Sequence, residues 1–254
     1  MNPKISACII CFNEKDNIRA CLESLKWVDE IVVVDSYSTD GTVEICREYT
    51  GKVFQNKWPG FVNQKNYALS LAANDWVISL DADEAVSPEL KAEIETLWQT
   101  DAPKEYSGFY IPRKTIYLGK WIKHGGWYPD RKLRLFKKSA GKWGGIDPHD
   151  RVELSEGQTK KLESPIIHTN YRNISDQLRT VDSFSTTAAQ ALLERGKRFS
   201  LLALIFGPPV KFIETYLFKL GFLDGLPGFI IAANSAFYIF NKHAKMWEAK
   251  RGKE

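Results

Sequence analysis

Short apolar runs alternate with stretches whose apolar positions recur at helical spacing. Ile5 to Ile10 reads as a strand that stops at Cys11-Phe12-Asn13-Glu14. Ile18, Cys21, Leu22 and Leu25 then mark one helix face. Ile31 to Val34 is a second strand, ended by Asp35-Ser36-Tyr37-Ser38-Thr39-Asp40-Gly41-Thr42, and Val43, Cys46 and Tyr49 continue as a helix. Lys52 to Phe54 gives a short third strand, and Phe61, Ala68, Leu69 and Ala72 mark another helix. Trp76 to Leu80 is nearly all apolar, as in a strand buried on both faces, and it runs into Asp81-Ala82-Asp83-Glu84. Ser87-Pro88-Glu89 then supplies an N-cap, a proline at the first helical position and an acid in the first turn. This alternation predicts an α/β fold around a parallel sheet.

Past residue 105 the pattern turns to sheet. Ser107 to Arg113, Leu133 to Phe136 and Arg151 to Leu154 alternate like strands, with glycine turns expected at 125–126 and 144–145. From about Ser175 the character changes again. Gln177, Asp182, Thr186 and Arg195 mark a polar helix, and Phe199 to Phe240 holds ten aromatics. Gly207-Pro208-Pro209 and Gly225-Leu226-Pro227-Gly228 are expected to break this region into short helices. Its longest uncharged stretch, Gly225 to Asn241, has 17 residues, short of the ~20 of a spanning helix. Lys197, Arg198, Lys211, Lys219, Lys242 and Lys245 flank or interleave the aromatics. That is the composition of helices lying in a bilayer interface; the other reading is packing on the N-terminal domain or on a partner subunit. The expected domains are therefore 1–174, built on the α/β pattern, and 175–254, helical and membrane-interfacial.

Composition adds exclusions. With 44% hydrophobic and 26% charged residues the chain is globular. Net charge is only +4, yet nine Lys or Arg and a single acid, Asp130, fall between Arg113 and Lys138. That run is either solvated surface or faces an anion: a leaving diphosphate, acceptor phosphates or lipid headgroups. No nucleic-acid motif accompanies it, so nucleic acid is not an expected partner. Cys8-Ile-Ile-Cys11 spells CxxC, but odd spacing in a strand sends the two thiols to opposite faces. With no second pair, buried thiols are expected there and not zinc. No signal-peptide pattern precedes the first strand. There is no GxGxxG and no GxxxxGK[ST], so neither a dinucleotide fold nor a P-loop is indicated.

Two strands thus end in acids on one edge of the sheet, where open α/β sheets put their ligands. Asp81 and Asp83 form an Asp-x-Asp that would hold Mg²⁺ or Mn²⁺ against a nucleotide diphosphate; the bland alternative is an acidic surface turn. Asp35 reads as an acceptor for a ribose or uracil, the alternative being a helix-capping turn, for which Asp40 is better placed.

CFNE after the first strand, VVVDSYSTDGT, QKNYAL and ISLDADE resemble, in order and spacing, the family 2 inverting glycosyltransferases of the GT-A fold, over roughly residues 4 to 170. The resemblance implies a nucleotide-binding mixed sheet flanked by helices and a UDP-sugar donor. It implies donor contacts from Cys11, Asn13, Glu14, Asp35, Ser38, Lys65, Asp81 and Ala82. It also implies a divalent cation at Asp81, Asp83 and His168, although a lone histidine is more often structural. GGWYPDRKLRLF resembles the acceptor-side segment of bacterial lipopolysaccharide-core β-1,4-glucosyltransferases, with His149-Asp150 matching the His-acid pair that follows it there, and GFLDG at 221–225 resembles the same enzymes.

Inverting transfer needs one carboxylate to take the acceptor hydroxyl's proton. Asp150 is the first candidate, Asp130 the second and Asp147 the third. The other reading of Asp130 is an ion pair with Arg131 or Arg134. The expected activity is transfer of glucose from UDP-glucose to a lipid-linked saccharide on the inner face of the cytoplasmic membrane. Transfer to polyprenyl phosphate, or a non-catalytic nucleotide-binding membrane scaffold, are the alternatives.

Overall fold

The computed structural model describes residues 2–146, 149–171 and 173–251. They divide into two compact units, residues 1–114 with 130–169 and residues 115–129 with 170–254.

The first unit begins with β1 (Ile5–Cys11), α1 (Ile18–Glu23), β2 (Glu30–Asp35), α2 (Thr42–Arg47), β3 (Val53–Gln55), α3 (Phe61–Leu71) and β4 (Trp76–Asp81). Next come β5 (Glu84–Val86), α4 (Pro88–Trp98), α5 (Ala102–Glu105), β6 (Tyr106–Tyr117) and β7 (Lys120–Trp121). The chain goes on through β8 (Asp130–Lys137), β9 (Gly141–Ile146), β10 (His149–Leu154), β11 (Gln158–Lys161) and β12 (Ile166–Tyr171); β9 and β10 form a separate two-stranded sheet, and β7 falls in the second unit with residues 115–129. The strand order is β3-β2-β1-β4-β8-β6-β12-β5. β1 pairs in parallel with β2 and β4, and β2 with β3, whereas β8 runs antiparallel to β4 and β6. The result is a mixed sheet flanked by helices, GT-A-like in architecture.

β1 is buried along its whole length. Ile5, Ala7, Ile9 and Cys11 join one core with Ile18, Cys21 and Leu22 of α1, and Cys8 and Ile10 join the other with Ala68 and Leu69 of α3. Helices on both faces are the reason these strands carry no polar alternation. The CxxC thiols fall in opposite cores as expected, and all four cysteines are free and buried. The Ser87 side chain accepts from Leu90 N at 3.1 Å, capping α4 ahead of Pro88 and Glu89.

Two expectations are corrected. Gly144 and Gly145 make no turn; they lie within β9, which pairs with β10. Gly145 is left-handed (φ 93°), a backbone that favours glycine inside the ladder. The second correction lies in the other unit, which contains α6 (Ile174–Glu194), α7 (Leu201–Ile213), a π turn (Glu214–Phe218), a 3-10 turn (Gly221–Asp224) and α8 (Leu226–Arg251). Pro208 and Pro209 do not end α7, and α8 runs unbroken for 26 residues. The chain breaks where backbone is left-handed or glycine-specific, at Leu220 (φ 58°) and Gly225 (φ 66°). The prolines are tolerated because α7 buries none of its residues, leaving the carbonyls they orphan at the surface. With the helix continuous, Leu201–Phe218 is long and apolar enough to cross a membrane by length and composition. It also carries Lys211 and Glu214, paired at 3.0 Å.

The second unit is pinned by buried polar groups. Asp224 accepts from His124 N at 2.8 Å and Lys123 N at 3.1 Å, which folds the 120–125 segment around it. Gln177 on α6 receives Tyr117 Oη and Asn234 Nδ2 at 2.5 Å each.

Candidate active site

The site is built where β1, β2 and β4 end together. At the first loop Asn13 is held left-handed (φ 54°), its N–H donating to Ser38 Oγ at 2.8 Å while its side chain accepts from Thr39 N at 2.9 Å. Glu14 N donates to Thr42 Oγ1 at 2.9 Å, and Glu14 Oε2 accepts from Asn17 Nδ2 at 2.7 Å. Asp35 is fully buried; its carboxylate accepts from Ser38 N at 2.9 Å and Gln55 Nε2 at 3.3 Å, with Cys11 Sγ at 3.6 Å. Asp35 thus shapes the loop after β2, while Asp40 accepts from Thr42 N at 3.0 Å at the start of α2. Phe12 and Tyr37, both exposed, flank these loops.

The end of β4 carries the charge. Ala82 is buried in the core beneath the turn, fixing which way its neighbours point. Asp81 Oδ1 lies 2.8 Å from Lys65 Nζ, and Asp81 Oδ2 lies 2.7 Å from Arg134 Nη2. Arg134, from β8, also donates to the buried Glu84 at 2.8 Å, and Glu84 receives Arg113 at 3.2 Å. Glu84 Oε2 accepts from Asp81 N at 3.1 Å. Lys65, only 4% exposed, reaches from Asp81 to Asp150 Oδ2 at 2.7 Å. The Trp143 ring lies under this ammonium at 4.4 Å, and the Arg134 guanidinium lies 5.5 Å from the same ring.

Charge pairing overrides burial throughout this cluster. Burial alone would raise the Asp81 pKa, but Lys65 and Arg134 hold the carboxyl far below the usual range. Burial likewise opposes ionisation of Glu84, and Arg134 and Arg113 outweigh it to lower its pKa. Burial would lower Arg134, and Glu84 and Asp81 raise it instead. Arg134, Glu84, Arg113 and Trp143 were not singled out in the sequence as site residues. Arg113 and Arg134 were read as part of a basic run that faces either solvent or an anion, and strand register brings them to Glu84 and Asp81.

Asp130 is ion-paired, but its partners are neither Arg131 nor Arg134. They are Arg113, opposite it in the β6–β8 register, and Lys132 at 3.1 Å. Burial would raise the Asp130 pKa, and Arg113 and Lys132 lower it. Asp147 lies outside the described residues, as does the side chain of His149.

Asp83 and His168 meet separately from Asp81. His168 Nε2 stands 3.2 Å from Asp83 Oδ2, and His168 Nδ1 is buried without a hydrogen-bond partner. Among the described residues no third His, Cys, Asp or Glu joins them as a metal-binding group. Two ligands side by side on an octahedral Mg²⁺ at ~2.1 Å stand about 3 Å apart, so the observed separation suits such a pair. Magnesium commonly takes one or two carboxylates and completes its shell with water and substrate phosphates, so a small protein ligand set fits the ion.

The sequence pattern of glycosyl transferase family 2 matches residues 6–151. The chain belongs to that family. Members use nucleotide sugars, and this glycosyltransferase is 30% identical over 256 residues to the lipopolysaccharide core biosynthesis glycosyltransferase LpsC of Rhizobium meliloti, covering 98% of this chain and 94% of that one. Among solved structures it resembles S. aureus TarS 1–349 in complex with UDP-GlcNAc, with TM-score 0.49 and 14% identity over 98% of this chain and 92% of that one. Glucosyl-3-phosphoglycerate synthase of Mycobacterium tuberculosis, in complex with Mn²⁺ and UDP-glucose, is a more distant likeness: TM-score 0.36 and 22% identity over 46% of this chain and 44% of that one.

Proposed function

We propose that this glycosyltransferase is a metal-dependent inverting enzyme. It moves glucose from UDP-glucose onto the lipopolysaccharide core, or a similar lipid-linked saccharide, at the inner face of the cytoplasmic membrane. The observation that carries the reading is Lys65, whose ammonium is bonded both to Asp81 of the Asp-x-Asp and to Asp150. A donor-side carboxylate and a candidate base are thereby held one side chain apart.

Of the three residues expected at the cation, Asp83 and His168 are the ones we assign to Mg²⁺ or Mn²⁺, since both carboxylate oxygens of Asp81 are bonded to Lys65 and Arg134. Bound there, the cation supplies neutralisation of the diphosphate and so a better leaving group. Asn13, Ser38 and the residues around Asp35 form the rim for the nucleoside. Asp150 keeps one oxygen on Lys65, and the other accepts the acceptor hydroxyl's proton as that oxygen attacks the anomeric carbon. Direct displacement inverts that carbon.

The full-length likeness to LpsC supports the acceptor class. The second unit supports the membrane reading. Leu202 (69% exposed), Phe218 (80%) and Leu226 (70%) head an exposed apolar surface on α7, the turns and the start of α8. Glu214 is bonded to both Lys211 and Lys219, and Asp224 is buried, so both acids of residues 199–230 are spent internally. The two lysines of that span are the ones Glu214 holds, so what faces outward is chiefly apolar, matching a lipid interface.

The test is a transfer assay with UDP-glucose, UDP-galactose and UDP-GlcNAc, with and without Mn²⁺, on truncated lipopolysaccharide-core acceptors. UDP-glucose with Mn²⁺ is expected to lead. Equal turnover after chelation would remove the metal, and transfer from another donor would remove glucose. In parallel, Leu202→Asp/Phe218→Asp is expected to abolish sedimentation with anionic vesicles; unchanged sedimentation would put the membrane contact elsewhere.

A further inference from the structure

The buried ammonium of Lys65 is shared between two carboxylates that the reaction uses differently. Asp81 faces the donor side and stays ionised throughout. Asp150, on the assignment above that it is the base, becomes neutral when it takes the acceptor's proton. We infer that Lys65 is a positioning residue that orients Asp150 in its ionised form and, as Asp150 is protonated, turns its released charge on the departing diphosphate.

The geometry supplies each part. Lys65 Nζ lies 2.8 Å from Asp81 and 2.7 Å from Asp150, with Trp143 closing one side of it. A buried lysine at two carboxylates is over-compensated: one positive charge faces two negative ones. Arg134 offsets the Asp81 side at 2.7 Å. Trp143 is itself fixed by Asn66, the residue after Lys65, whose side chain bonds both Trp143 N and Trp143 O at 2.9 Å. The ring and the ammonium above it are therefore set by neighbouring residues of α3.

In the transfer step the acceptor O–H proton passes to Asp150 and the acceptor oxygen forms its bond to the anomeric carbon. The bond from that carbon to the diphosphate oxygen breaks, and its electron pair leaves with UDP. One negative charge thus disappears at Asp150 as one appears on the diphosphate. Lys65 loses one of its two counter-charges in that interval, and its field strengthens toward the developing charge without any movement. Fixed charge aimed at where charge develops is the arrangement that lowers a barrier most.

Among the described residues two cations face Asp150. Lys65 comes from α3 and Arg134 from β8. On β10 itself Arg151 and Glu153 pair with each other at 2.9 Å, and Gly145, opposite Asp150 on β9, carries no charge. Lys65 is the cation in contact.

The test is kcat against pH for the wild type, Lys65→Met, Lys65→Arg and Asp150→Asn, with UDP affinity measured by calorimetry in Mn²⁺. Loss of the ammonium is expected to move the acid limb of kcat upward. Lys65→Met should also lower the plateau by about 10²-fold, with UDP affinity changed by less than about 3-fold. Lys65→Arg, which keeps the charge, should return the limb toward the wild-type position even if its plateau stays low. A variant that had merely lost structure would lower the plateau without moving the limb. An unmoved limb in Lys65→Met, beside a crippled Asp150→Asn, overturns the role of Lys65 and leaves the base in place. A near-normal rate for Asp150→Asn overturns the base assignment, and with it this inference.

Discussion

His168 Nε2 lies 3.2 Å from Asp83 Oδ2, although 85 residues separate them in the chain. They meet because β12 lies antiparallel to β5, which places His168 opposite Glu84, the residue after Asp83. If this pair holds the cation, Asp83→Asn should lose Mn²⁺-dependent UDP binding while its melting temperature holds, since the change is nearly isosteric. His168→Gln should weaken the same binding. Calorimetry of UDP with and without Mn²⁺ checks both, and affinity that stays metal-dependent in Asp83→Asn would exclude Asp83 as a ligand.

Arg134 holds the buried Glu84 together with the partly exposed Asp81, so its loss should be costly. Arg134→Met leaves Asp81 and Glu84 with one fewer cation, and breaking a buried pair from one side costs about 3–5 kcal/mol. The pH dependence follows from the depressed pKa values of both acids. Their ion-paired contribution is fully present above the ordinary carboxylate pKa of about 4 and is lost as pH falls below it. The wild type should therefore exceed Arg134→Met most at pH 7, with the gap narrowing below about pH 4. Urea denaturation at pH 7, 5 and 3.5 measures the gap; one that is constant with pH would mean packing, not charge, is what Arg134 contributes.

The cysteines should be silent. Burial pushes the Cys8 thiol up to about 12 and raises Cys21 well above its ordinary value. Cys11 is raised by its contact with Cys46 and by burial. Thiolate is the reactive form, so a colorimetric disulfide reagent at pH 8 should modify none of the four thiols in the native protein and all four after denaturation. Rapid native labelling at Cys8 or Cys11 would mean that β1 is less protected than its packing implies.

The parallel half of the sheet was legible because strands covered on both faces have to be continuously apolar, and β1, β2 and β4 are. The edge that carries Asp35, Asp81 and Asp83 was legible with them. The partner of Asp130 was not, since Arg113 reaches it through the β6–β8 register, which no local pattern encodes. Gly144 and Gly145 misled because a glycine within a ladder, such as the left-handed Gly145 (φ 93°), has the same letter as one in a turn. Pro208 and Pro209 misled because a helix with no buried face can leave its orphaned carbonyls outward. Lys65 was read as a donor contact, and only the three-dimensional fold shows its ammonium spent on Asp81 and Asp150.

The central claim is that Asp150 takes the acceptor's proton, and single-turnover transfer at saturating UDP-sugar, Mn²⁺ and acceptor tests it most directly. A general base contributes about 10²–10⁴-fold, so Asp150→Asn should slow the transfer step by that factor with UDP affinity nearly unchanged. Asp130→Asn, which removes the partner of Arg113 and Lys132, should slow it far less. A near-normal rate for Asp150→Asn beside a collapsed rate for Asp130→Asn would contradict the account and move the base to β8.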